Sequence, residues 1–109
     1  MHRYTLYKFV SEDIKITVEI YFDKEKLVID GYDIGKKVEE AWGDSDYEYV
    51  TTIEAEELTK VYSLMNVSAG DKEGLLREFT RRYNTNSCYS EIHEFLQING
   101  IKTGGFSWT

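Results

Sequence analysis

The stretch IKITVEIYF, residues Ile14–Phe22, decides the fold of this chain. Aliphatic or aromatic residues occupy every second position, and other, mostly polar residues stand between them. Successive side chains of a β-strand point to opposite faces, so this alternation predicts a strand with one buried face and one solvent-facing face. Its apolar face is the longest in the chain, and we therefore expect it to be the central strand of a sheet.

Turn-forming residues bracket this strand on both sides. Ser11–Asp13 precedes it and Asp23–Lys26 follows it, and both stretches are polar. Thr5–Val10 and Leu27–Ile29 lie beyond the two turns and are rich in aromatic and aliphatic residues. The three apolar segments together predict an antiparallel meander.

The chain continues to a fourth strand and then changes to helical periodicity. Tyr47–Ile53 is enriched in β-branched and aromatic residues, as strands are. Spacings of three and four residues predict three helices: Glu54–Met65, a second capped by Asp71, and a third capped by Ser87 or Ser90. Gly104-Gly105 predicts a turn before a terminal strand at Phe106–Trp108. A short helix is also predicted at Lys36–Ala41.

The resulting order of elements is β-β-β-(α)-β-α-α-α-β. Strands that come first and helices that come later indicate an α+β fold. We expect a single domain over residues 1–109, with a mostly antiparallel sheet of about five strands and about three helices packed on one face.

The chain is acidic, with a formal net charge of −7 over 109 residues. Such a charge repels phosphate backbones and anionic lipid surfaces, so we expect neither a nucleic-acid partner nor a membrane. It attracts basic partners, although solubility alone also explains it and is the simpler interpretation. The one cysteine, Cys88, precludes an intrachain disulfide and suits a reducing compartment. Met1–Thr5 begins no apolar segment, and we expect a cytoplasmic protein.

Known catalytic and cofactor motifs are incomplete in this chain. Gly31–Lys37 is one residue shorter than a P-loop and has no hydroxyl residue after its lysines. Asp44–Glu48 resembles the start of an EF-hand loop but lacks the glycine at its sixth and the glutamate at its twelfth position. Cys88 and His93 are five residues apart, on poorly matched faces of one helix. We therefore predict no catalytic residue, no metal and no cofactor.

Acidic and aromatic residues concentrate after the third strand. Gly31 and Gly35 are predicted to form a tight turn where that strand ends, with the Asp33 carboxylate accepting backbone amides. Loops on rigid scaffolds often hold binding residues, so this acidic loop is the candidate interaction surface. Its candidate residues are Asp33, Glu39, Glu40, Asp44, Asp46, Tyr47, Glu48 and Tyr49. A solvated acidic surface and cross-strand packing of the tyrosines are the simpler explanations.

Three short motifs resemble a family of small uncharacterised bacterial proteins. They are Gly31-x-Asp33-x-Gly35, Asp46-Tyr47-Glu48-Tyr49 and the ending Phe106-Ser107-Trp108-Thr109. In that family the position of Tyr32 is often a glutamine, so this chain departs from the pattern there. The resemblance implies no established activity. Similar proteins look like the small immunity proteins that accompany bacterial toxins.

The acidic charge and the missing catalytic motifs favour a non-enzymatic interaction domain that binds a basic protein, such as a toxin nuclease. The alternative is a small enzyme or a divalent-cation-dependent binding protein that uses the carboxylates between Asp30 and Glu48. A third hypothesis is a homodimer that uses an uncovered face or edge of the sheet.

Overall fold

The structure, a computed structural model, describes residues 3–35 and 46–108, with residues 106–108 described for the backbone alone. It contains β1 (Tyr4–Val10), β2 (Ile14–Asp23), β3 (Lys26–Gly35), β4 (Asp46–Ile53), α1 (Ala55–Leu64), α2 (Lys72–Arg82), α3 (Cys88–Ile98) and β5 (Gly104–Trp108). Over these residues the α+β prediction is confirmed, with five strands and three helices. The helix predicted at Lys36–Ala41 lies outside the described residues.

The five strands form one antiparallel sheet in the order β1-β2-β3-β4-β5. The central strand is therefore β3, and the prediction that Ile14–Phe22 would be central is wrong. Apolar alternation reports only that one face of a strand is buried. Its place in the sheet depends on how many strands pair beyond it, and β3, β4 and β5 all follow on one side of β2.

The third strand is longer than predicted and runs straight through the glycines that were expected to form a turn. Gly31 pairs with Val18 on β2 and with Tyr49 on β4. A Cβ atom at Gly31 would lie 1.9 Å from Cε2 of the Tyr49 ring. Glycine is needed here because the Tyr49 ring crosses the backbone at this position. Close approach of another group to the backbone is a common reason for glycine inside a strand. Gly104 and Gly105 likewise belong to β5 and do not precede it.

The helices begin where the sequence indicates. The Asp71 carboxylate caps α2 by accepting a hydrogen bond from the backbone nitrogen of Gly74, with an O···N distance of 3.0 Å. Ser87, one of the two predicted residues, precedes α3, although its side chain makes no capping hydrogen bond. In the described part of the chain no helix is both long and apolar enough to cross a membrane.

The core lies between the helices and one face of the sheet, which we call the helix face. Its largest fully buried side chains are Phe79, Leu6, Ile20, Leu27, Ile29, Ile53, Met65, Leu75, Leu76, Ile92, Leu96 and Val61. The sheet residues of this cluster come from one face only. We call the opposite side of the sheet the outer face. The strict alternation of β3 and β4 sends neighbouring residues to different faces.

We predict that Gly31→Ala lowers the free energy of unfolding by about 1–3 kcal/mol, because the added methyl group overlaps the Tyr49 ring. Chemical denaturation measures the change. The matched control is the same substitution in a Tyr49→Leu background, where the ring is gone and the cost should be much smaller. Equal costs in both backgrounds would show that the ring contact is not the reason for glycine.

Candidate functional site

The structure divides the predicted acidic loop between the two faces of the sheet. Asp46–Tyr49 begins β4, which confirms the strand predicted from Tyr47 onward, so these four candidate residues lie on a strand and not in a loop. Asp33, Tyr47 and Tyr49 lie on the helix face, whereas Asp46 and Glu48 lie on the outer face, as the β3–β4 pairing requires. The other three candidates, Glu39, Glu40 and Asp44, lie outside the described residues.

On the helix face three tyrosines form a cluster around Asp33. The Tyr49 hydroxyl donates a hydrogen bond of 2.9 Å to Asp33 Oδ1, so Asp33 binds a side chain and not the backbone of a turn. The Tyr49 ring meets the Tyr89 ring edge to face, with centroids 4.7 Å apart, and the Tyr47 ring with centroids 5.4 Å apart. Tyr89 comes from the first turn of α3, and its hydroxyl lies 2.5 Å from Thr51 Oγ1.

These tyrosines line a cavity of about 380 Å³, which we call the tyrosine groove. Its described lining residues are Ile16, Val18, Asp33, Tyr47, Tyr49, Asn86, Ser87, Tyr89 and Ser90. Two further cavities, of about 470 and 320 Å³, adjoin it at Tyr89 and are lined in part by His93. The helix face therefore has accessible cavities beside Tyr89 of α3.

Burial controls the protonation of the groove. It raises the pKa of Asp33, and the hydrogen bond from Tyr49 acts in the opposite direction. Burial, followed by the nearby Asp33 charge, also raises the pKa of Tyr49, so this hydroxyl keeps its proton and acts as a donor. Burial raises the pKa of Cys88 to about 11, and this thiol is protonated at neutral pH.

On the outer face three carboxylates surround a separate cavity, of about 300 Å³, which we call the carboxylate pocket. Its described lining residues are Arg3, Thr17, Glu19, Asp30, Tyr32 and Glu48. The β2–β3 register places Glu19 directly across from Asp30, and the β3–β4 register places Glu48 on the diagonal. Like charges that face each other across strands are destabilising.

One cation partly compensates these carboxylates. An Arg3 guanidinium nitrogen lies 3.0 Å from Glu19 Oε1, and the guanidinium carbon lies 3.9 Å from the centroid of the Tyr21 ring. The Tyr21 hydroxyl donates to Asp30 Oδ2 over a long distance of 3.5 Å. Arg3 therefore pairs with Glu19, and the hydrogen bond that Asp30 accepts from Tyr21 is weak.

Asp30 is the most perturbed carboxyl group of this pocket. Burial, the adjacent Glu48 carboxyl group and the Glu19 charge raise its pKa to about 6, against a smaller opposing effect of Arg3. Its Oδ1 atom is enclosed and has no hydrogen-bond donor within the described part of the chain. The Asp30 and Glu48 carboxyl groups can share a hydrogen bond when one of them is protonated. The raised pKa of Asp30 favours its protonated form.

The carboxylates do not gather around a metal ion in the described part of the chain. Among residues 3–35 and 46–108, no group of three or more histidine, cysteine or acidic residues is placed to hold one. Asp33 lies on the helix face, whereas Asp30, Asp46 and Glu48 lie on the outer face. One site cannot use the carboxylates of both faces, because the sheet itself separates them.

Sequence reasoning gave no site role to Arg3, Glu19, Tyr89 or His93. The sequence does indicate the Glu19–Asp30 pair, because a two-residue turn at Lys24-Glu25 fixes which residues of β2 and β3 lie opposite each other. No sequence pattern indicates the role of Tyr89, since this residue reaches β4 through the packing of α3. His93 Nδ1 is enclosed and has no hydrogen-bond partner among the described residues.

We predict that Asp30→Asn raises the melting temperature at about pH 8 and leaves it nearly unchanged at about pH 4. The pKa of Asp30 in the folded protein, about 6, exceeds its ordinary value of 3.8. Its stabilising contribution is therefore present below the ordinary value and is lost as the pH rises through the folded value. Asparagine avoids the burial of the charge.

Thermal unfolding followed by circular dichroism at both pH values measures this difference. Asp23→Asn, which removes an exposed carboxylate from the β2–β3 hairpin, is the matched control. A loss of stability at the higher pH on Asp30→Asn would show that the ionised carboxylate is a favourable structural contact.

Comparison with models of known protein families, with curated proteins and with solved structures found no match. The resemblance of Gly31-x-Asp33-x-Gly35 and the other two motifs to a family of small bacterial proteins therefore stays a prediction. The tyrosine groove and the carboxylate pocket are the features that bear on function.

Proposed function

We propose that this chain is a non-enzymatic interaction domain that binds a basic partner protein through the carboxylate pocket. The observation that supports it best is the Asp30 carboxylate, whose enclosed Oδ1 atom lacks a donor within the described part of the chain. A buried polar atom without a hydrogen bond costs about 1–3 kcal/mol, and more when it is charged. A donor supplied by a partner would recover that cost on binding.

The chemistry of the pocket matches a guanidinium or ammonium group. Its described lining includes Glu19, Asp30 and Glu48 against one positive charge, that of Arg3. Arginine presents five N–H donors in a planar fork and binds carboxylates through paired, charge-assisted hydrogen bonds. The volume of about 300 Å³ is sufficient for the end of one such side chain. The tyrosine ring of Tyr32 adds an amphipathic wall of the kind that is enriched at protein interfaces.

The net charge of −7 adds long-range attraction to this local site. Electrostatic steering raises the rate of encounter with a basic protein and is screened by salt. A toxin nuclease is a basic partner of this kind, so the resemblance to immunity proteins is compatible with the proposal. The single cysteine, buried and protonated, is consistent with a binding role in the cytoplasm.

A titration with a peptide of six arginines, followed by NMR of the backbone amides in about 0.15 M salt, tests this proposal. The neutral comparison is the same peptide built from citrulline, which has the shape of arginine without its charge. We expect the arginine peptide to shift the amide signals of Glu19, Asp30 and Glu48, and the citrulline peptide to leave them in place.

Matched variants separate a local site from general charge attraction. We predict that Asp30→Asn weakens the arginine peptide about tenfold, or about 1.4 kcal/mol, because a charge-assisted hydrogen bond is lost. Glu12→Gln, which removes one charge from the exposed β1–β2 turn, should change the affinity less than about twofold. Equal losses in both variants would refute the pocket and leave only net charge.

Two further measurements address the alternatives. Calorimetry with Mg²⁺ and Ca²⁺ that shows saturable binding abolished by Asp30→Asn would contradict the proposal and support the cation-dependent alternative. Light scattering over a range of concentrations detects a homodimer. A dimer whose formation is lost on Asp30→Asn would show that the pocket binds a second copy and not a basic partner.

A further inference from the structure

The tyrosine groove has a chemistry different from that of the carboxylate pocket and lies on the opposite face of the sheet. We infer that it is a second binding site, which takes an alkylated ammonium ion in the cavity that the rings of Tyr47, Tyr49 and Tyr89 border, with Asp33 as the counter-charge. This inference does not depend on the proposed function, because none of these four residues lines the carboxylate pocket.

The three rings are arranged as adjacent walls and not as a parallel stack. The planes of Tyr49 and Tyr89 are inclined by 85°, and those of Tyr47 and Tyr49 by 42°. All three border the same cavity of about 380 Å³, so a cation inside it lies close to aromatic side chains from both β4 and α3. Aromatic rings attract cations through their quadrupole, and sets of rings are the usual receptors for quaternary ammonium groups.

The position of these walls is set by the strand backbone. Gly31 leaves room for the Tyr49 ring, and the hydrogen bond from the Tyr49 hydroxyl to Asp33 Oδ1 fixes its far end. The contact between the Tyr89 hydroxyl and Thr51 Oγ1 holds the second wall. A site whose side chains are held by their neighbours before the ligand arrives loses less entropy on binding.

The charge of the groove selects a cation. Asp33 is the ionisable carboxyl group of its described lining, which contains no lysine, arginine or histidine. Burial raises the pKa of Asp33, so a positive ligand would stabilise the ionised form that burial disfavours. Phosphates and carboxylates find no positive partner there among the described residues.

The shape and polarity of the groove favour an alkylated ammonium ion over a metal ion. Calcium takes six to eight oxygen ligands and magnesium six, whereas one of the two oxygens of Asp33 is already bonded to Tyr49. Ile16 and Val18 form an apolar part of the wall, which suits methyl groups better than hydrated ions. Such an ion occurs as a free small molecule or as a methylated lysine side chain of a protein.

Calorimetry with choline and with its neutral isostere, 3,3-dimethylbutan-1-ol, tests the inference. The two molecules have the same shape, so a difference between them reports the charge. We expect choline to bind saturably with a dissociation constant of about 1 mM and the isostere to bind at least about tenfold more weakly. Equal affinities would refute a cation site, and no saturable binding of choline up to about 50 mM would refute the site altogether.

Ring and charge variants locate the ion. Tyr47→Phe keeps a ring and should keep choline binding, whereas Tyr47→Leu and Asp33→Asn should each weaken it about tenfold. Asp23→Asn, an exposed carboxylate variant with the same change in net charge, is the matched control and should bind as the parent does. A Tyr47→Leu variant that is folded and binds choline with unchanged affinity would contradict cation binding by the rings of the tyrosine groove.

A peptide with trimethyl-lysine and the same peptide with unmodified lysine distinguish the two sources of the ion. Tighter binding of the methylated peptide than of choline would identify a protein side chain as the ligand, and the reverse would identify a free small molecule. Chemical shifts at Asp30 and Glu48 in place of Tyr47 and Tyr89 would show that the cation occupies the carboxylate pocket and would overturn the inference.

Discussion

The antiparallel pairing of β3 with β4 is the constraint on which both cavities depend. Gly31 lies opposite Tyr49, and the ring of Tyr49 occupies the space that a side chain at position 31 would fill. A slip of one residue would exchange the faces of every side chain on the strand. The same register sends Tyr47 and Tyr49 to the helix face and Glu48 to the outer face, so neighbouring residues serve two separate sites.

The outer face retains an arrangement that is unfavourable for stability alone. Glu19 and Asp30 are like charges on directly paired positions, and Arg3 compensates the first more closely than the second. Buried charges without a full set of partners reduce stability, and such features in natural proteins often mark functional sites. A cationic side chain of a partner would supply the donor that Asp30 lacks among the described residues, and binding would then offset this cost.

The sequence predicts the fold better than it predicts the sites. The alternation of Ile14–Phe22 and the capping position of Asp71 are local patterns, and each leads directly to an element of the structure. The glycines of the segment Gly31–Gly35 are ambiguous, since a glycine serves equally in a turn and beneath an aromatic ring. The choice between the two depends on Tyr49, which is distant in sequence.

The residue pairs of the two sites differ in whether they can be predicted from the sequence. The Glu19–Asp30 pair follows from the length of one hairpin turn and is accessible to sequence reasoning. The pairing of Tyr49 with Tyr89 depends on how α3 packs against the sheet, which no local pattern specifies. The described candidate residues are close together in the sequence, which suggests one loop. Strand alternation instead places Asp33, Tyr47 and Tyr49 on one face of the sheet and Asp46 and Glu48 on the other.

The protonation state of the Asp30 carboxyl group is the most direct test of the proposed carboxylate pocket. An NMR titration that follows its side-chain carboxyl carbon reports the pKa in the folded protein without any ligand or partner. We expect a midpoint at about pH 6, since burial and the neighbouring Glu48 and Glu19 carboxyl groups oppose ionisation. A midpoint near the ordinary value of 3.8 would show that the carboxylate is already well solvated or paired, and would contradict a pocket that awaits a cationic partner.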